Sequence, residues 1–451
     1  MALRAAIGVY HDLLTGDLAA ACQAQLDDQM QRRGLFFGER PLCTVLRPRF
    51  LTPRQYRFLQ TRGRVILRAL HKIFRRAVAD AAFRAQFGLT EWEEALIRHD
   101  PGFRDPTPTS RFDSFFVTER EELRFTEYNG ETPAAPAYND VLSEVFLGLP
   151  VMREFLRRYE VRPLPARHNV LHVLLDAYRQ WAGRGDPPRI AILDWREVPT
   201  YSEFVLFEQY FHSQGLECVI ADPREVEYRH GRLVAGDFVI TLIYKRVLIS
   251  ELIGRGGVDH PVVRAVRDGA VCMVNPFRCK ILHKKASLAV LSDARNAGLF
   301  TAAERAAIEA HIPWTRRVEE RRTRYRSRTV DLVPFILKHR EQLVLKPNDE
   351  YGGKGVVLGW QTGAQAWERA VRSALVEPAI VQERVTLPSE PYPSLVDGRL
   401  EMMDRMLDTD PFAFHGTHVD GCLTRLSTEA LLNVTAGGGS TVPTFVVETR
   451  R

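Results

Sequence analysis

The chain has 451 residues, of which 45% are hydrophobic and 26% charged, and a net charge of +6. That length supports two or three packed units around a shared cleft, and the composition is that of an ordinary soluble globular protein. No apolar run approaches the ~20 residues of a membrane-crossing helix, and the start, MALRAAIGVYHDLL, lacks the apolar core and cleavage site of a secretory signal, which predicts a cytoplasmic protein.

Cys22, Cys43, Cys218, Cys272, Cys279 and Cys422 are scattered and form no CxxC pair, which argues against a zinc cluster or disulfide framework and for buried thiols. The positive excess is arginine spread along the chain. It suits an anionic small molecule at least as well as nucleic acid.

Residues 1–95 read as mostly helical. The clearest segment opens at Thr52-Pro53, a good N-cap and first-turn pair, with Tyr56, Leu59, Ile66, Leu70, Ile73, Phe74 and Ala77 at helical spacing. The opposite face carries Arg62, Arg64, Arg68, Lys72, Arg75 and Arg76 and reads as a solvated helix face in preference to a nucleic-acid surface. After a proline-rich stretch from Pro101 to Pro108, RFDSFFVTERE and ELRFTEYNGE predict two extended segments joined by a charged turn.

A helical stretch near Tyr138 to Tyr159 follows. RIAILDW, a helix from Ser202 to Gln214, LECVIADP and DFVITLIYKR then predict an α/β unit with a parallel sheet. No GxGxxG follows its first strand, so no dinucleotide site is expected there. The charged run from Trp314 to Arg328 reads as a solvated helix or linker. The last third, with QLVLKP, YGGKG, VVLGW, QAWERAVRSAL and PAIVQERV, predicts a small α+β lobe.

The most specific segment is Arg111-Phe-Asp113 with Glu127-Tyr-Asn129-Gly-Glu131. On two strands alternate residues share a face, so Arg111, Asp113, Glu127 and Asn129 converge. Two carboxylates and an amide oxygen suit magnesium, which takes its remaining ligands from nucleotide phosphates and water. A guanidinium beside them suits a transferring phosphoryl group. The competing reading is a surface hairpin whose Phe112, Phe116 and Phe125 pack inward.

The second signal is Lys346-Pro347 followed by Gly352-Gly353-Lys354-Gly355, where glycines let the backbone approach phosphates and lysines supply charge. It is not a P-loop, because GxxxxGK[ST] is absent and a strand follows. Val381-Gln382-Glu383-Arg384-Val385 ends a strand whose main chain and carboxylate suit an adenine edge and a ribose, although alone it reads as an edge strand. Arg425 and the Asn433 to Gly439 loop complete the set, as groups able to close over phosphates.

Together these segments resemble the ATP-grasp superfamily, and their order resembles its circularly permuted, glutathionylspermidine synthase-like branch, from about Arg111 to the C-terminus. In conventional members the nucleotide clamp comes first and the metal carboxylate with its Glu-x-Asn partner last; here Asp113 and Glu127-x-Asn129 lead. The resemblance implies an α/β (α+β) ATP-grasp fold divided as a helical N-terminal region (1–95), the metal-binding part of the core (96–160), an α/β lobe preceding the grasp (161–280) and the clamp with a C-terminal core segment (281–451).

Residue by residue, it implies Asp113, Glu127 and Asn129 as metal ligands and Arg111 as the stabiliser of transferred phosphate. Lys346 matches the clamp lysine, Gly352 to Gly355 the phosphate-covering loop, and Gln382, Glu383 and Val385 the adenine and ribose hinge. Lys285 matches the lysine opening the nucleotide region, with Lys284 as the alternative. Arg425 and Asn433 match a segment near the triphosphate, although Asn433 lacks the glutamate two residues earlier that relatives carry.

The implied cofactors are ATP and Mg2+. The implied activity is a C–N bond-forming, ADP-forming ligase that joins a small-molecule or peptide carboxylate to an amine or thiol through an acyl phosphate. No nucleic acid or membrane partner is expected. Two other readings stand beside it: a non-catalytic nucleotide-binding or scaffold protein, and a nucleic-acid binder using the 52–76 helix and the arginines from Arg316 to Arg328.

Overall fold

The computed structural model describes residues 3–183, 185–429 and 439–450. The chain is a mixed α/β structure with three principal sheets. Helices Leu3–Leu13 and Gly16–Arg33 precede the long helix Pro53–Ala79. That helix begins where its sequence says: Thr52 Oγ1 accepts from the Gln55 amide at 3.2 Å, and Gln55 Oε1 accepts from the Thr52 amide at 2.8 Å, a reciprocal cap that satisfies two otherwise orphaned donors. Its apolar stripe is buried from Tyr56 to Ala77. On the polar side Arg68, Arg75 and Arg76 face solvent, while Lys72 pairs with Glu304 at 2.6 Å.

The long helix packs on a nine-stranded sheet assembled from both ends of the chain. Strands Thr109–Val117 and Glu122–Asn129 form a hairpin, and the first of them pairs with Asp410–Phe414 in the register Phe412 to Arg111. Strands His418–Ser427, Arg399–Leu407 and Ser389–Val396 continue the order, and Ser440–Thr449 joins His418–Ser427 to Arg49–Leu51 and Tyr159–Pro163. Phe112, Phe116 and Phe125 on the hairpin's inner face are fully buried; each ring stabilises the packing by about 2 kcal/mol relative to exposure.

The second sheet is parallel, ordered Cys272–Val274, Leu242–Lys245, Ile190–Leu193, Cys218–Ala221. Helices Tyr201–Ser213, Ile249–Gly256 and Pro261–Arg267 lie in its crossovers, as parallel connections require, and Arg167–Ala182, which precedes the sheet, packs against it. The third is antiparallel, ordered Thr315–Arg317, Ala379–Glu383, Leu343–Pro347, Val357–Leu358, and is covered by helices Leu332–Lys338 and Ala364–Val376.

Two local expectations fail. Trp314 to Arg328 is neither a solvated helix nor a linker: it supplies strand Thr315–Arg317 and most of the hairpin Arg322–Tyr325 with Arg328–Asp331. Arg316 is 2% exposed, because its guanidinium donates to Thr323 Oγ1 at 2.7 Å and to the carbonyls of Ser292 and Arg324 at 3.1 and 3.0 Å. Arg316 is thus a buried, hydrogen-bonded arginine, whereas Arg322, Arg324, Arg326 and Arg328 are exposed. Ala379–Glu383 is also not an edge strand, since it is paired on both sides, by Thr315–Arg317 and Leu343–Pro347.

Candidate active site

The nine-stranded sheet, the parallel sheet and the small antiparallel lobe meet around a cavity of about 500 Å3. One wall is the hairpin. Arg111 pairs with Asn129 and Asp113 with Glu127, and a bulge follows at Ser114. This register sends all four polar side chains to the cavity, while Phe112, Phe125 and Tyr128 pack into the core behind them.

Asp113 is the centre of the wall. Its Oδ1 accepts from Arg111 Nε at 3.0 Å and Asn129 Nδ2 at 2.7 Å, and its Oδ2 accepts from Arg425 Nη2 at 2.7 Å. Arg425 in turn reaches Asp408 Oδ2 at 2.6 Å and Asp410 Oδ2 at 2.9 Å. The three carboxyls titrate apart. Burial works to raise Asp113, but the Arg111 and Arg425 guanidiniums outweigh it and hold this carboxyl well below the usual range. Burial pushes Asp408 up despite Arg425, and pushes Asp410 well up with help from its acidic neighbours. Asp113 therefore carries the charge facing the cavity.

Two lysines line the same cavity. Lys285 Nζ lies 3.2 Å from Glu127 Oε1 and donates to the Glu350 carbonyl. Lys346 Nζ donates to Gln382 Oε1 at 2.8 Å and to the Thr126 carbonyl at 3.2 Å. Burial, with Lys285 nearby, lowers Lys346 to about 8 against the pull of Glu127. Lys284 turns away to Glu93 and Asp349, at 2.7 and 2.9 Å, and does not line the cavity, so Lys285 is the member of the pair that faces it.

The glycine turn arches over the opening with φ of 63° at Gly352, 76° at Gly353 and 71° at Gly355, backbone that only glycine adopts without strain. Gly352, Gly353 and Lys354 line the cavity; Gly355 does not, but is folded so close to Pro347 that a Cβ would fall 2.7 Å from its Cγ. Tyr351 on this turn donates to Glu251 Oε1 at 3.0 Å, tying the turn to the α/β lobe. Gln382, Glu383 and Val385 line the far end together with Trp360 and Val344. Gln382 is 2% exposed and is the hydrogen-bonded partner of Lys346. Asn433, Gly437 and Gly438 lie outside the described residues.

Several lining residues carry no local signature. Asp408, which lines the cavity, lies between strands Arg399–Leu407 and Asp410–Phe414, and Asp410 just behind it opens the second of these; neither stands in a motif. Asp194 and Arg246 follow the C-terminal ends of parallel strands, where α/β sheets place ligands. Burial raises Asp194 to about 7 in spite of Arg246 beside it.

Beside the cavity, which His283 helps to line, Glu131, His283 and Asp349 are grouped closely enough to hold an ion. Lys280 Nζ already fills that centre, 3.1 Å from Glu131 Oε2 and 2.7 Å from both Asp349 oxygens. Burial works to lower Lys280, but Glu131, Asp349 and Glu93 outweigh it and keep it charged. This is an ion network that anchors the start of the glycine turn.

No family model and no curated protein matches the chain. Among solved structures it is similar to a glutathione synthetase-like effector from Globodera pallida in its apo form, with 10% identity, a TM-score of 0.58, and coverage of 96% of this chain and 98% of that one. At that identity the likeness is one of fold alone. A RimK domain ATP-grasp protein from Sphaerobacter thermophilus also aligns, at 18% identity over 57% of this chain and 90% of that one, with a TM-score of 0.26 too low to bear on the fold.

Proposed function

We propose that the chain is an ATP- and magnesium-dependent ligase of the circularly permuted ATP-grasp type. It activates a small-molecule or peptide carboxylate as an acyl phosphate and joins it to an amine or thiol, releasing ADP and phosphate. One observation carries this reading: Lys285 and Lys346 line one cavity with Asp113, Glu127 and Asn129, and Lys285 Nζ meets Glu127 Oε1 at 3.2 Å. Cations for a polyphosphate beside hard oxygen donors for its metal are what a magnesium nucleotide requires. The permuted order is supported by the pairing of the early hairpin with Asp410–Phe414, which follows the clamp in sequence.

The residues divide the work by chemistry. Glu127, whose Oε1 is paired with Lys285, and Asn129 would offer their remaining oxygens to a metal, whereas Asp113 already accepts from Arg111, Asn129 and Arg425 and so holds those three in place. The metal, when bound, neutralises phosphate charge. Lys285 and Lys346 grip the polyphosphate, the main-chain amides of the glycine turn cover it, and Glu383 with Val385 receive the nucleoside. Arg111 and Arg425 stabilise charge on the phosphoryl group as it passes to the substrate carboxylate, and closure of the turn keeps water from the acyl phosphate. The acceptor enters past Asp194 and Arg246 on the α/β lobe. No side-chain nucleophile is used. Six buried, unpaired cysteines suit a reducing, cytoplasmic setting.

The test is a calorimetric titration with a nonhydrolysable ATP analogue, with and without magnesium, of wild type, Asp113→Ala and Lys346→Ala. Magnesium-dependent binding lost in both variants is expected. Binding unchanged in both refutes this site, and tight binding without ATP consumption over a panel of acids and amines selects the non-catalytic reading.

A further inference from the structure

The glycine turn over the cavity is pinned at its start. Asn348 Oδ1 accepts from the Ala286 amide at 2.9 Å, its carbonyl accepts from the Lys285 amide at 3.0 Å, and its Nδ2 donates to the Phe87 carbonyl at 2.8 Å. Asp349 takes the ammonium groups of Lys280 and Lys284 at 2.7 and 2.9 Å. At its end the turn rests on Pro347 through Gly355. Between these supports Tyr351, 55% exposed, reaches over to the α/β lobe, where its hydroxyl donates to Glu251 Oε1 at 3.0 Å. Both residues line the cavity.

The two halves of this contact differ in freedom. Glu251 is held, because its other oxygen, Oε2, accepts from Trp195 Nε1 at 3.0 Å, and that indole is 2% exposed with the Arg255 guanidinium 4.2 Å above its ring centroid. The helix that carries Glu251, Ile249–Gly256, is anchored where the Ile249 amide donates to Glu131 Oε1 at 2.6 Å. Tyr351 stands on looser ground. It is exposed together with Gly352, Lys354 and Gly355, and it is followed at once by Gly352 and Gly353, whose left-handed backbone is of the kind that absorbs a hinge movement at low cost. Water competes for a hydrogen bond between an exposed phenol and a carboxylate, so the bond biases the turn without locking it.

We propose that Tyr351 and Glu251 are the latch of a gate: the hydrogen bond between them holds the glycine turn down on the α/β lobe, and the turn lifts from the cavity when that bond breaks. Glu251, fixed by Trp195, is the catch, and the phenol is the moving part. The latch itself needs no ligand; that the molecule passing it is a nucleotide rests on the function proposed above. A bond that forms over an empty and an occupied cavity alike slows traffic in both directions. Its loss therefore raises the rate of entry and the rate of escape together and leaves affinity nearly constant, whereas loss of a side chain that grips the ligand raises escape alone.

The test is Tyr351→Phe, which removes one hydroxyl from an exposed ring and leaves the fold intact. In the ligand-free full-length protein, nitroxides are attached at Lys354→Cys on the turn and Arg229→Cys on the α/β lobe, both exposed positions, the six native cysteines being buried. Double electron–electron resonance is expected to give one narrow distance distribution in the parent protein and, with Tyr351→Phe added, a broader one that extends to longer distances. Stopped-flow mixing of the unlabelled proteins with magnesium and the fluorescent analogue mant-ATP is expected to show association and dissociation both faster by at least roughly fivefold in Tyr351→Phe, with the dissociation constant within about twofold of wild type. An unchanged distance distribution, unchanged rates, or a rise in dissociation alone overturns the latch. If mant-ATP binds neither protein while the distribution broadens, the latch stands and the function proposed above falls.

Discussion

Arg425 Nη2 donates to Asp113 Oδ2 over 2.7 Å, joining residues 312 positions apart. The same guanidinium serves Asp408 and Asp410, so one cation offsets three buried acids, aided at Asp113 by Arg111. Replacing it leaves uncompensated charge. Arg425→Met is expected to lose about 3–5 kcal/mol of stability near neutral pH.

The pH dependence of that loss has a defined sign. Asp113 is depressed in the folded protein, so its contribution is present above the unfolded carboxyl value and is lost as pH falls. Asp408 and Asp410 are raised, so the folded state holds their protons longer and they cost stability as pH rises above the unfolded value. Without Arg425 the second effect dominates. Urea denaturation should find the gap between variant and wild type narrower at pH 5 than at pH 8; a constant gap would mean the three acids are not coupled through Arg425.

If the chain binds ATP as proposed, Lys346 makes that binding a proton-linked event. With its value lowered to about 8, the free site is charged below that pH and largely neutral above it. A bound polyphosphate favours the ammonium form, so binding above pH 8 draws a proton from solution and weakens as pH rises. Calorimetry in two buffers of different ionisation enthalpy at pH 8.5 should report uptake approaching one proton, and Lys346→Met should abolish the uptake along with most of the affinity.

The hairpin and the glycine turn were readable because their chemistry is local. Strand alternation places Asp113, Glu127 and Asn129 on one face without reference to the rest of the chain, and YGGKG announces left-handed backbone. Asp408 and Asp410 escaped because their meaning lies in Arg425 and the distant Asp113. Arg316 was misread since charge in sequence looks like solvent exposure until the carbonyls that satisfy it are known. Glu131 stood in a motif, but its partners Lys245 and Lys280 come from the α/β lobe and its crossing to the clamp, a meeting that only tertiary structure supplies.

Lys280 is the keystone of that meeting. Its side chain is 2% exposed and lies 3.1 Å from Glu131, 2.7 Å from Asp349 and 3.6 Å from Glu93. Lys280→Met is expected to cost about 3–5 kcal/mol, since it strands buried carboxylates. Adding Asp349→Asn removes one of them and should recover part of the loss. A double-mutant cycle read by chemical denaturation checks this; strict additivity of the two substitutions would refute the coupling.

Gly355 separates the fit of the turn from the stability of the fold. An alanine there meets two obstacles, a φ of 71° and Pro347 Cγ at 2.7 Å from its Cβ, and the left-handed backbone alone costs about 1–2 kcal/mol. The segment is exposed from Tyr351 to Gly352 and bears little of the core, so the strain is relieved by shifting the turn while the protein stays folded. Gly355→Ala should therefore lower Tm only slightly but weaken ATP-analogue binding about tenfold, because the main-chain amides at Gly352 and Gly353 leave their positions over the cavity. Gly298→Ala, where no atom lies within 4 Å of the new Cβ, should leave both quantities unchanged. If Gly355→Ala binds the analogue as wild type does, the turn contributes reach but not geometry, and phosphate recognition rests on Lys285 and Lys346 alone.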